Sequence, residues 1–338
     1  MSRSVLWQRI DETGARDVSI VGISKHAGKT TALGRLIADA AEAGLRLGIA
    51  SIGLDGERAD SLLGIPKPSV WVPEGTLFAT AIGVHRPDHA PIRWLEPIGV
   101  SSPLGEVWLG QTLAEGTIEL AGVCQLAHLQ ALRERFHQLG AVHVLFDGAL
   151  SRLIAVSPQV ADAVLLAAGA AVGGVEQVVR ETEDVVRKLT VPLAPAALAA
   201  WVKGLAECAG ADGIKVDSRW AEMATDDENG TQVRVWYESG AITDATLAGQ
   251  IGSVTPVRMI GRDPTCLFVT REGWRAFLRA GHQLLVLERL PLLGVVVNPV
   301  SPFGDRLDRH LLRERMQAKL NVPVWDVMDR ESADAMDG

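Results

Sequence analysis

Apolar positions along this chain switch repeatedly between a continuous and a helical pattern. Residues 18–23 (VSIVGI) form a short β-branched run, as expected of a strand buried on both faces. After the glycine-bearing segment SKHAGKTT, Leu33, Leu36, Ile37 and Ala40 recur at helical spacing, and Gly44 supplies a stop. LRLGIASIGL (45–54) is a second buried-type strand. Strand, loop, helix and strand in this order predict the opening of an α/β fold with a mainly parallel, doubly wound sheet.

The pattern changes over 66–120. Short alternating pieces divided by Pro and Gly predict a β-hairpin insertion. A helix near 124–139 then leads into the continuous apolar runs 141–150 and 161–170, with a further helix at 174–189. Residues 191–254 hold an Ala/Leu helix, the acidic loop 226–230 and a strand-like TQVRVWY, and no role is assigned to them. Alternation then resumes: PVRMIG, TCLFV, the helix REGWRAFLRAGHQ, LLVLE, LLGVVVN, a helix at 305–320 and VPVWDV. No linker or internal repeat stands out. The organisation taken is one elaborated domain, with its core in 17–65, 121–190 and 255–328, although two domains fit the length and pattern about as well.

Composition narrows the function classes. At 47% apolar and 22% charged residues, the chain has the balance of a soluble globular protein with a sizeable core. Its 33 basic and 41 acidic residues give a net charge of −8. Coating a duplex requires phosphate neutralisation, so no nucleic-acid partner is expected. The N-terminal residues lack an apolar signal core, and the longest uncharged apolar stretch, 163–175, is too short to span a bilayer. A cytoplasmic location without membrane association is the expectation. Cys124, Cys208 and Cys266 are far apart and odd in number, which suggests neither a disulfide framework nor a zinc site. His85 and His89 are separated by Pro87, which argues against a helical zinc pair. Nine tryptophans accompany a single tyrosine; for Trp71, Trp94 and Trp108, packing is favoured over a partner-anchoring role.

The chemistry concentrates at residues 22–31, Gly22-Ile-Ser-Lys25-His26-Ala27-Gly28-Lys29-Thr30-Thr31. Gly28 lets backbone approach phosphate oxygens without a Cβ in the way. Successive backbone N–H groups and the following helix N-terminus form an anion cradle. Lys29 supplies an ammonium for the β/γ-phosphates, and the Thr30 hydroxyl a ligand for Mg²⁺. The bland alternative, a strand-to-helix turn with a solvated lysine, is outweighed because strand, loop and helix occur in the required order. Asp147 ends the strand 141–150, where a carboxylate can hold Mg²⁺ through its water shell or simply cap a turn. Asp55 ends the second strand in the same way, with Glu57 a weaker candidate.

The G-x5-G-K-T spacing is one residue longer than the common phosphate loop. It resembles the loops of dethiobiotin synthetase and the cobyric and cobyrinic acid amide synthetases, of the SIMIBI class of P-loop NTPases. That resemblance implies ATP and Mg²⁺ as ligands and a Mg²⁺- or water-orienting role for Asp55. Asn298, which follows the strand LLGVVVN, would recognise the base. Because Pro299, Val300 and Ser301 follow Asn298, the carboxylate of guanine-specific relatives is missing, which favours adenine. In some relatives a second loop lysine reaches across a homodimer. Lys25 lies one residue too close to Lys29 for that pattern, so a solvated lysine is the favoured reading.

At whole-chain scale, VGISKHAGKTT, SIGLDGE, KPSVWVPEGTL, FDGALSR, GAITD, VNPVSPFG and PVWDV resemble another family. It is the P-loop subunit of the reactivating factor for lysine 5,6-aminomutase and ornithine aminomutase. The resemblance implies an ATPase chaperone that drives release of damaged cobalamin from an adenosylcobalamin-dependent aminomutase, with a MutS-like second subunit as partner. Competing readings are an ATP-dependent ligase of the dethiobiotin synthetase type and a metallocofactor-insertion NTPase. The ligase expects a lysine soon after the second strand, whereas here none precedes Lys67. The insertion NTPase would ordinarily carry the shorter loop.

Overall fold

The computed structural model describes residues 4–53, 69–149, 153–205, 215–217, 220–226, 229–302 and 304–326. The chain divides into two compact units, one formed by 1–183 with 290–338 and the other by 184–289.

The first unit is built on a nine-stranded mixed sheet. In chain order its strands are β1 (Asp17–Gly22), β2 (Leu47–Ile52), β4 (Leu77–Ala81), β5 (Ile92–Ser102), β6 (Gly105–Thr112), β8 (His143–Ala149), β9 (Ala163–Gly169), β17 (Leu292–Asn298) and β18 (Val324–Asp326). They lie in the order β18-β17-β9-β1-β8-β2-β4-β6-β5. All neighbours from β18 to β4 pair in parallel, whereas β6 pairs antiparallel with both β4 and β5. The expected α/β class and mainly parallel sheet are therefore observed. The hairpin reading of 66–120 is met by β5 and β6, which extend one edge of that sheet. A separate antiparallel pair, β3 (Val70–Val72) with β7 (Gly116–Ile118), lies in the same stretch.

Helix α2 (Lys29–Glu42) forms where the helical spacing predicts it. Its buried stripe of Ala32, Leu33, Leu36, Ile37 and Ala40 packs with Val18, Ile20, Ile49, Leu145 and Leu165 of the sheet. Each of the larger side chains contributes about 2 kcal/mol by leaving water. Helix α3 (Leu126–Gln138) covers the opposite face: side chains alternate along β2, so Gly48 points away from Ile49, and Phe136 lies over Gly48. A Cβ on Gly48 would stand 2.6 Å from the Phe136 ring, which is why glycine occupies this strand position. Helix α1 (Val5–Thr13) was not anticipated. It buries Leu6, Trp7 and Ile10, and the Trp7 indole donates to the Leu36 carbonyl at 3.0 Å. A single short apolar stripe without a side-chain cap is a weak sequence signal.

The second unit differs from the sequence reading. That reading put 255–328 in one core, but β14 (Val257–Gly261) and β16 (Gln283–Val286) join a separate five-stranded sheet. There β12 (Gln232–Glu238) pairs in parallel with β14, β14 with β16, and β11 (Trp220–Asp226) antiparallel with β12. Val257, Met259, Leu284 and Val286 pack with Ile242, Leu247, Trp274 and Phe277 as a core of their own. The apolar runs identify these strands correctly, but strand periodicity carries no information about which sheet a strand joins. TCLFV likewise resolves into a single 3-10 turn, Pro264–Cys266, and the two-residue strand Leu267–Phe268, which pairs with Ile242–Thr243. Among the described residues no helix is long and apolar enough to cross a membrane.

Candidate anion-binding site at the carboxyl end of the parallel sheet

Because β1, β2, β8, β9 and β17 run parallel, their carboxyl ends meet at one end of the sheet, the end at which open α/β sheets take their ligands. The 22–31 loop leaves β1 at this end and enters α2 at Lys29. The Ile23 N–H donates to the Ala167 carbonyl of β9 at 3.0 Å, which ties the start of the loop to the neighbouring strand.

The loop backbone is unusual at two positions. His26 has φ 58°, the one left-handed non-glycine among the described residues, and Gly28 has φ 101°. Alternating hand along a short segment turns successive N–H groups toward one side and forms an anion nest. A left-handed residue with a Cβ costs about 1 kcal/mol, so its presence marks a constrained loop. Helix α2 then starts without a side-chain cap and without an acidic residue in its first turn. Its first N–H groups and the positive end of its dipole are therefore left for an anion.

The side chains converge as follows. A Cβ on Gly22 would lie 2.9 Å from Lys29 Cγ and 3.2 Å from Ala27 Cβ, so the aliphatic stem of Lys29 crosses the loop directly over Gly22. Lys29, Thr30 and Thr31 are half-buried, Ala27 is buried and Lys25 is exposed. Asp147 pairs in register with Ile20 of β1 and Ser51 of β2. Leu145, two residues earlier, belongs to the core that α2 covers, so Asp147 points to the α2 face at the carboxyl end of β8. Asn298 closes β17 and lies against Gly28. Lys29, Thr30, Asp147 and Asn298, far apart in sequence, thus share one end of the sheet. Asp55, Glu57 and Lys67 lie outside the described residues.

One participant escaped the sequence reading. A Cβ on Gly169, at the end of β9, would stand 2.8 Å from the Ala27 carbonyl oxygen and 2.9 Å from that of Asn298. Glycine here lets loop, β9 and β17 approach; the available signal was a glycine closing an apolar run. Gly28 is constrained twice, by its φ and by Asn298 Cβ, which would lie 2.6 Å from an added Cβ. Gly28→Ala is expected to cost about 2 kcal/mol, read as a fall in the midpoint of thermal or urea denaturation.

The structure places the other sequence signals as follows. Among the described residues no group of three or more His, Cys, Asp or Glu is placed to hold a metal. His85 and His89 have ring centroids 5.7 Å apart, and His85 meets Trp94 edge-on. Trp94 also packs edge-on to the buried Phe78, whereas Trp71 is 41% exposed. Cys124 is exposed and Cys266 buried; burial pushes the Cys266 thiol above its ordinary pKa and keeps it protonated. Cys208 lies outside the described residues.

In comparison with known proteins, the chain matches no family model and no curated protein.

Proposed function

We propose that this protein binds a nucleoside triphosphate, ATP, with Mg²⁺ through the 22–31 loop, as a P-loop NTPase of the SIMIBI type. The observation that carries the reading is the placement of Lys29. Its stem is laid over Gly22 at the mouth of an uncapped helix, beside a nest of loop N–H groups. The site fits the ligand in three respects. The loop turns through left-handed His26 and Gly28, with Lys29 packed over Gly22 and Asn298 over Gly28. No carboxylate stands in the first turn of α2 to oppose an anion. The half-buried Thr30 and Asp147 supply two oxygen ligands, and Mg²⁺ bound to phosphates commonly takes only one or two from protein.

In this reading the loop N–H groups and the α2 N-terminus hold the β-phosphate, and Lys29 offsets charge on the β/γ oxygens. Thr30 and Asp147 orient Mg²⁺, which supplies Lewis-acid neutralisation of the phosphate charge when bound. Asp147→Asn is expected to lower Mg²⁺-dependent ATP hydrolysis about a hundredfold, on the order of 3 kcal/mol, with little change in ATP binding when Mg²⁺ is chelated. Steady-state hydrolysis and calorimetry, with and without chelator, check this.

The client is inferred from the sequence resemblance. Chain motifs spread from VGISKHAGKTT to PVWDV support a reactivase subunit that couples ATP turnover to release of damaged cobalamin from an adenosylcobalamin-dependent aminomutase. A MutS-like subunit would be its partner. The test is to add the protein, that partner and ATP to an inactivated aminomutase. Recovery of turnover with fresh adenosylcobalamin is expected, and no recovery despite measured ATP binding would remove the reactivase assignment.

A further inference from the structure

Asn298 follows its strand as does the asparagine through which the resembling synthetases read the base. Its surroundings here point to another task. Three atoms of its side chain crowd one point on the loop: Cβ, Cγ and Nδ2 lie 2.6, 3.2 and 3.3 Å from where a Cβ on Gly28 would stand. The amide therefore covers the Cα of the last loop residue before α2, and glycine is needed beneath it. Its carbonyl oxygen Oδ1 accepts from the Val300 N–H at 3.2 Å, which sets the amide plane from the other side.

The backbone around Asn298 is equally committed. Its main-chain oxygen and that of Ala27 both abut Gly169, at 2.9 and 2.8 Å from the position of an added Cβ. The segment after it folds back on itself, with Leu307 N–H donating to the Pro299 carbonyl and Ser301 N–H to that of Asp305, each at 2.9 Å. β17 and β9 thus hold Asn298 at a fixed height above Gly28. Meanwhile Ile23 is tied to Ala167. Both ends of the loop are fastened to the β9 and β17 side of the sheet, and Asp147 stands on the other side of β1.

We infer that Asn298 is a positioning residue for the phosphate loop: it packs on Gly28 and holds the left-handed turn that aims the loop N–H groups, whatever base the ligand carries. The inference rests on the triphosphate reading above. Its physical content is that removing the amide loosens the cradle, so the loss is felt by the phosphates rather than by the base.

The two roles separate on ligands that differ in the base. Dissociation constants of MgATP, MgUTP and magnesium tripolyphosphate, which has no base, are measured by competition against a fluorescent ATP analogue for the full-length protein and for Asn298→Ala. Loop positioning predicts that all three weaken by a similar factor, roughly tenfold, the equivalent of about 1.4 kcal/mol. The melting temperature without ligand should stay within about 2 °C of the parent, since a single half-exposed side chain is removed. Weakening of MgATP alone would overturn the inference and return Asn298 to base recognition. Unchanged affinities for all three would also overturn it, as would a fall in melting temperature large enough to account for the loss by unfolding. Failure of the unmodified protein to bind the fluorescent analogue at all would instead refute the triphosphate reading itself.

Discussion

Replacing Lys29 with alanine is expected to lower the affinity for MgATP at least a hundredfold while leaving the fold intact. The side chain is laid over Gly22, within the loop whose left-handed turns fall at His26 and Gly28. An ammonium there makes charge-assisted hydrogen bonds to phosphate oxygens, each worth about 1.5–3 kcal/mol. Losing two of them corresponds to about 3 kcal/mol, hence the hundredfold. Stability should hold, because Lys29 lies in the first turn of α2, outside its buried stripe, and alanine is the best helix former. Calorimetric titration and circular dichroism check both halves. Retained affinity in a folded variant would refute the central assignment.

The largest expected loss of stability lies at the other end of β1. Asp17 is 1% exposed, and its carboxylate accepts from the Arg133 guanidinium and engages His137 Nε2 at 2.7 Å. Arg133 also donates to Asp162 at 2.6 Å, and Asp162 in turn accepts from the backbone N–H groups of Arg16 and Asp17, each at 3.0 Å. Burial alone would lower the Arg133 pKa; Asp17 and Asp162 more than offset it, so the guanidinium is held above its ordinary range. The cluster fastens α3 to the amino ends of β1 and β9. Asp17→Ala removes the shared acceptor, leaving Arg133 with Asp162 alone and His137 Nε2 facing the space left by a buried carboxylate. Breaking a buried pair from one side costs about 3–5 kcal/mol, a drop of roughly 10 °C in melting temperature for a unit of this size. Differential scanning calorimetry measures it, and a shift under 3 °C would show that the cluster is only surface decoration. MgATP affinity should be unchanged below the transition, since Asp17 and the loop lie at opposite ends of the strand.

The order strand, glycine loop and helix was readable directly, because burial on both faces of β1 and on one stripe of α2 writes different periods into the chain. Asp147 was readable for a related reason: a carboxylate ending an apolar run cannot continue into the core. Helix α1 was not readable, since its Trp7 anchors on Leu36 and His143, which lie far along the chain. Nor was the second unit. PVRMIG and LLVLE look like any buried strands, and only the pairing of the first with Gln232–Glu238, and of the second with the first, assigns them to another sheet.

By itself, the sequence determined the local chemistry: which segments extend or coil, where glycine permits a left-handed turn, and which lysine and threonine follow it. Those are properties of neighbours along the chain. Tertiary structure alone decided what stands over that turn. Parallel pairing brings Asp147, Gly169 and Asn298 to the end of the sheet where β1 opens into the loop. It is the contact of Asn298 with Gly28, across residues remote in sequence, that makes the second glycine of the loop a steric necessity as well as a conformational one.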